Sequence, residues 1–542
     1  MANQYLVADL GAANESAATT WENTPGGGED SGPPAIGDIV VMNVAGTNVT
    51  LDQAITNAYG SLNMTGFTGT LIMGVNDLDV DGNVTLDGTL TGTGISDIFC
   101  KGNFETISGI MFDVSIRTVL DAATGAITIT SNGVGIGLLT VNDAGGDATF
   151  TMQDDLTALG VAITDGAFST GNFDLTVSGG GISGTGGEFA FGTSTVDADI
   201  DDIDLDNITA TVGLASWTAA NVLTGAGSLT MSDDLTLTGS FDLEAGGTLD
   251  MGNVNNVLSV SASYTYTTGT MANNGILEMT GTGNLHSGST NVPNFLQLTS
   301  ILNGDATDAD VTLTGTSTFK TGMDIPEGAT LNLVAQTLSP YLQTGNFNDT
   351  LHCEGDITAT TGKVNIYPNQ SLSNSLVCNF GSVRVIMAGY DDDTWTQTGA
   401  FTCGALAIYD HHAGHAQTFD ISGNLTAANV VLGLTGNKSG ILNLGGGMHS
   451  IASLTDAGAT DLNNALDLDK CHLECSGILN GDNITVTSTG ANLHGGTIRN
   501  ADVTGVLHCW GVTDGGSNSV DVAHEGSNAG AALGGTLTRI AI

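Results

Sequence analysis

Cys353, Cys378 and Cys403 recur at intervals of 25 residues, and steps of 24 from Cys403 reach Ala427, Ile451 and Cys475. Each sits in a similar phrase: LHCEG, LVCNFG, FTCGAL, LTAANV, HSIASL and LECSG. All six positions are small or apolar. A recurrence of about two dozen residues, holding short strands separated by turns, is the coil of a parallel β-helix. Stacked coils place equivalent residues about 4.8 Å apart, so one inward position becomes a column running through the core. The spacing therefore predicts a buried column of thiol, Ala and Ile side chains; a disulfide chain or a metal site is its chemical alternative. Seven cysteines, an odd count without a CxxC pair, indicate neither a disulfide framework nor a zinc ribbon, and free Cys packs as a small hydrophobe.

The rest of the chain has the same texture. Runs such as Asn83-Val84-Thr85-Leu86-Asp87-Gly88-Thr89-Leu90 alternate polar and apolar residues with the period of a half-buried strand. The stretch from Thr149 to Thr157 returns as Ser228 to Thr236, each with a Met-x-Asp-Asp-Leu-Thr core. Gly is abundant at 78 residues and long helix formers are scarce, which excludes a mainly helical protein. The predicted fold class is all-β: a right-handed parallel β-helix, or β-solenoid, with rungs of roughly 24–25 residues. The expected division is a docking or capping segment over 1–50, the β-helix over 51–515, and a terminal cap or subunit contact over 516–542. Such a solenoid would hold roughly 19 rungs over a length on the order of 90 Å. Spacing is less regular in the first two thirds, where loops or changes of rung length are expected. The final strand is placed at Thr536 to Ile542, after Trp510.

Charge narrows the partners. Nine Lys plus Arg against 57 Asp plus Glu give −48 at pH 7. Such a surface repels phosphate backbones and anionic bilayers, so neither nucleic acid nor a membrane is an expected partner. No run of 18 or more apolar residues is present. The opening MANQYLVADLGAANES has no basic region followed by an apolar one, so no secretory leader is expected.

Three clusters are candidates for metal binding. Asp77, Asp79 and Asp81 have the alternate spacing of a calcium loop, but the twelfth position is Gly88 where an EF-hand needs Glu. Their plainer reading is the outer face of a strand. Asp197, Asp199 and Asp201 open the densest acidic run, continuing through Asp202, Asp204 and Asp206, with Asp391-Asp392-Asp393 as a second. Divalent cations could bridge stacked carboxylates, and a solvated surface is the alternative. His411, His412 and His415, following Asp410, could hold a transition metal or decorate a turn. Calcium is thus the one cofactor the sequence raises. In His352 and His508, each inside an LHC triplet, alternation turns His outward.

Nothing in the pattern marks an enzyme. The nine basic residues (Lys101, Arg117, Lys320, Lys363, Arg384, Lys438, Lys470, Arg499 and Arg539) are spread along the chain, whereas a lyase needs a focused base. Paired carboxylates of a glycosidase are compatible with so acidic a chain, but the aromatic platforms of a sugar cleft are sparse. TxT pieces such as Thr236-Leu237-Thr238 lack the steady spacing of an ice-binding face.

From Trp21 to Gly94 the chain runs through a Trp, a Gly-rich patch, Pro33-Pro34, then GDIVVMNVAGTNVTLD, SLNMTGFTGTL and GNVTLDGTLTGTG. In that order of features it resembles the start of Gly/Thr-rich parallel β-helix structural proteins of tailed bacteriophages, of the tail fibre or spike and head fibre or decoration types. The resemblance implies a non-enzymatic virion surface protein, made in the host cytoplasm and used for attachment or decoration. Its partners would be other virion proteins, further copies of itself as a homo-oligomer, and a host surface glycan. A bacterial extracellular adhesin or filament subunit and a polysaccharide-degrading tailspike are the alternative functions.

Overall fold

The structure is a computed structural model that describes residues 3–524, apart from 7–11, 18–19, 26–32, 53–54, 93–95, 108–110, 114, 144, 146, 289–291, 299–307, 343–350, 369–371, 390–391, 435–437, 457–463, 481–483, 500–501, 511–512 and 515–518. Asp391, the expected strand from Thr536 to Ile542, and the side chains of Arg499, His508, Cys509 and Trp510 lie outside the described residues. The chain divides into two units, Met1–Val260 with Thr265–Asn273 and Ser261–Tyr264 with Asn274–Ile542. Described residues contain no α-helix, and parallel strands stack into a β-solenoid of about 19 turns averaging about 21 residues.

In the first unit one sheet of 14 strands runs from Trp21–Glu22 and Asn3–Leu6 through to Thr270–Ala272. Its inward column reads Val40, Leu62, Val84 and Phe104 in register, then Phe150, Phe168, Phe189, Ala210, Leu229, Leu249 and Met271. The first four are 22, 22 and 20 residues apart, so the rungs here are shorter than the expected 24–25. A second sheet of five strands ends at Met111–Phe112. Beyond it, long strands serve two faces at once: Leu156–Ile163 pairs with Leu175–Val177 through its first half and with Ile182–Gly184 through its second. The Thr149 and Ser228 repeats occupy the same sheet four turns apart.

The first 50 residues already share these ladders. Asn3–Leu6 lies parallel to Ile39–Val41 and antiparallel to Trp21–Glu22, and Ala12–Asn14 lies parallel to Asn48–Thr50. Trp21 is fully buried and donates its indole N–H to the Glu15 carbonyl at 2.8 Å, while the Tyr59 hydroxyl meets the buried Glu15 carboxylate at 2.6 Å. One antiparallel strand at the sheet end is a means of closing an exposed edge.

The cysteine column is present, with one correction. Cys353 and Cys378 are in register, but Cys378 faces Phe401, two residues before Cys403. A second column starts at Cys403 and runs through Ala427, Ile451 and Cys475 at the expected 24-residue step. Because the offset is two residues, both columns keep the inward face. The six described cysteines are buried and unbridged. Burial pushes the Cys100 and Cys403 thiols up to about 12 and holds Cys353 and Cys378 well above their ordinary range.

Turn residues stitch neighbouring rungs together. The Asp155 carboxylate accepts the Asp174 N–H at 3.0 Å, and Asp174 in turn accepts the Thr195 N–H at 2.9 Å. Asn83 and Asn103 do the same for Asn103 and Thr128. Gly stands where rungs approach too closely for a side chain: a Cβ at Gly69 would overlap the Thr47 carbonyl.

Two outcomes are expected. Phe189 is fully buried and packs edge-on against Phe168 at 5.0 Å, so Phe189→Ala should cost about 3–5 kcal/mol in denaturant unfolding. Since the folded thiols titrate above their unfolded value near 9, stability should be complete below that pH. It should fall as pH rises toward about 12, and the fall should shrink in Cys403→Ala, followed by unfolding midpoints.

Candidate functional site

The Asp77–Asp81 set sits on the strand Leu78–Val80, where Leu78 and Val80 point inward and Asp79 outward. One rung on, Lys101 places its ammonium 2.7 Å from Asp81 and 4.0 Å from Asp79. Asp77 accepts the Asp97 N–H at 2.9 Å. Asp97 in turn is bound by Arg117, with Nε at 2.9 Å and a terminal nitrogen at 2.5 Å. Partial burial raises the Asp79 carboxyl above its ordinary value, opposed by Lys101 and reinforced by Asp81. The polar column continues: Asp121 faces Lys101 electrostatically, Asn142 donates to Asp121 at 3.1 Å, and Thr164 donates to Asn142 at 2.9 Å. Two of the few cations therefore stand where a bound calcium would stand. The basic residues, expected to be scattered, meet here through rung stacking.

Asp197, Asp199 and Asp201 are turn-formers. Asp199 adopts a left-handed conformation with φ 51 and donates its N–H to the Asp197 carboxylate at 3.1 Å. The later members of the run act across rungs: Asp202 accepts from the Asn221 amide at 2.8 Å and Asp206 from the Ala226 N–H at 2.7 Å. Ile200, expected between inward neighbours, is 80% exposed at the tip of this turn. A shallow groove of about 470 Å³ is lined by Asp204, Asp206 and Glu244. Sequence reading missed Glu244, which stacking brings there from two rungs on.

The histidines do not converge. His411 stacks on Tyr367 with ring centroids 5.5 Å apart and meets Tyr409 edge-on at 5.6 Å. The His412 and His415 rings are 6.3 Å apart, and His415 Nδ1 lies 3.0 Å from Asp392. Asp392 also accepts the Ala416 N–H at 2.7 Å, and these two donors hold its carboxyl below the usual range. Buried Asp410 accepts the His412 N–H at 2.7 Å and so fixes the turn. Burial, then Lys438, lowers the His411 imidazole, with Asp410 opposing. His352 points outward as expected and bonds Asp324 at 2.6 Å. Among the described residues no group of three His, Cys, Asp or Glu is placed to hold a metal ion.

The histidine turn borders a feature that sequence reading passed over. Tyr367, Ala388 and Tyr409 occupy one outward position on three successive rungs. The two tyrosines pack over Ile386, Ala388 and Ala407, which are buried although they face outward. Asn365 donates to the Tyr367 hydroxyl at 3.1 Å and steadies the ring. A solvent-side aromatic platform of this kind is what the scattered tyrosines of the sequence could not disclose, because 42 residues separate Tyr367 from Tyr409.

Lys101→Ala should unmask the acidic set. We expect millimolar Ca²⁺ to raise the thermal midpoint of that variant above the gain from NaCl of equal ionic strength. The parent chain should respond to both salts alike, because its ammonium already neutralises Asp81. A search of protein-family models, of curated proteins and of solved structures finds no match to this chain.

Proposed function

We propose that this chain is a non-enzymatic β-solenoid fibre, spike or decoration protein on the surface of a bacteriophage particle, serving attachment. The observation that carries this reading is the unbroken repetition of register: the same outward position is presented again on rung after rung, each about 4.8 Å from the last. Such a scaffold is a rigid display surface whose turns can vary while its core does not. The carboxylates support the same role, since many are spent as acceptors for N–H groups of the neighbouring rung and the rest keep a β-rich surface soluble. The resemblance of the Trp21 to Gly94 segment to phage structural proteins supplies the particle.

Immunogold labelling of particles purified from a producing culture tests it. Gold on the particle surface is the expected result. Bare particles, with the chain recovered in a filament or cell-envelope fraction, would overturn the reading in favour of a bacterial adhesin. Incubation of the chain with host capsule or lipopolysaccharide should release no new reducing ends; their release would assign a depolymerising spike instead.

A further inference from the structure

One outward face of the second unit lacks acid. Across the strands Lys363–Pro368, Arg384–Gly389, Phe401–Asp410, Leu425–Leu432, Met448–Asp456 and Ile478–Asn480, two outward rows can be followed by register. One row reads Lys363, Arg384, Ala405, Asn429, Ser453 and Ile478. The other reads Asn365, Ile386, Ala407, Val431, Thr455 and Asn480. Neither holds an Asp or Glu, in a chain with 57 of them. Arg499 takes the next register position after Asn480. The nearest acids, Asp410 and Asp456, stand at strand ends, and Asp410 is fully buried.

Lys363 and Arg384 are direct neighbours in this register, and like charges so placed destabilise a sheet. In the first unit each cation is answered by a carboxylate on the adjacent rung, Lys101 by Asp81 and Arg117 by Asp97. At Lys363 and Arg384 no carboxylate lies within ion-pair distance among the described residues. Beside the pair stand the Tyr367 and Tyr409 rings, and further along the same face Asn429, Ser453, Thr455 and Asn480 line a groove of about 610 Å³. Paired cations recognise an anion, aromatic faces cover the apolar side of a sugar ring, and the amides and hydroxyls match a hydroxyl-rich polymer.

We infer that this face binds an anionic polysaccharide, a hexose polymer carrying carboxylate or sulfate groups, with Lys363 and Arg384 on the anion and Tyr367 and Tyr409 against the ring. A charge-sparse polymer fits better than a polyphosphate, whose dense charge meets repulsion from the rest of the chain. The inference deepens the attachment reading by naming the ligand class and the face that takes it.

Biolayer interferometry on the full chain tests it, with polygalacturonate, dextran sulfate and neutral dextran as probes. Binding to one or both anionic polymers and not to neutral dextran is expected, and the responding polymer identifies the anion. Lys363→Gln with Arg384→Gln should weaken binding about tenfold or more, the equivalent of about 1.4 kcal/mol. Tyr409→Ala should weaken it similarly, while Lys470→Ala, at an exposed turn off this face, should not. Circular dichroism and melting confirm the fold of each variant, and Arg384→Gln alone serves if the double variant melts early. Binding to none of the polymers, equal binding to neutral dextran, or affinity retained in the folded glutamine variants would overturn the inference. Equally tight binding of poly-glutamate would overturn the glycan assignment. Because these measurements use the isolated chain, their failure alongside surface-labelled particles would remove the glycan face and leave the attachment role standing.

Discussion

The hydrogen bond between one rung and the next is the interaction on which everything else in this molecule rests. Each strand satisfies its backbone through the strands before and after it in the stack, so register decides which side chains meet. A shift of one residue would turn a whole inward column to water. A shift of two is tolerated, and the chain makes one between Cys378 and Cys403: the thiol column steps sideways while its face stays inward. Rung length varies because that constraint acts on strands and leaves the turns free.

Turns carry a second layer of the same logic. Stacked corners expose N–H groups that no strand partner reaches, and Asp and Asn side chains accept them. This gives the acidic composition a structural origin. Runs that look like cation sites along the chain prove to be corner acceptors or to face a basic side chain one rung away. The Asp77–Asp81 set illustrates the rule: its spacing is that of a calcium loop, but the neighbour that matters, Lys101, comes from the next rung.

How much was legible follows from the same geometry. The solenoid could be read because alternation within a strand and recurrence between rungs are both linear patterns. The rung length was overestimated because only the later columns carry a chemical marker. In the first unit Leu, Val, Phe, Ala and Met succeed one another at equivalent places, and no single residue type announces the 20- to 22-residue step. Sites were less legible than the fold. His411, His412 and His415 are near in sequence, yet His411 turns to tyrosines two rungs apart and leaves the other two. Lys363 and Arg384, 21 residues apart, are neighbours. Chemistry in a solenoid runs across the rungs, at a spacing that a local motif does not sample.

Register also decides what a strongly negative chain can bind. At physiological ionic strength, charges beyond about 8 Å are largely screened, so the remote carboxylates of a −48 protein act mainly as a background. Within that distance the stacked cations of the acid-free face dominate. A ligand with closely spaced anions extends past the strip and meets carboxylates on the neighbouring faces, as at Asp420 and Asp467. One with widely spaced anions can lay a charge on Lys363 and Arg384 and run its neutral length over tyrosine, amide and hydroxyl groups. Selectivity of this kind requires no pocket. It needs a face where the acid has been left out of consecutive rungs, and a solenoid can provide that by changing alternate residues in a few strands.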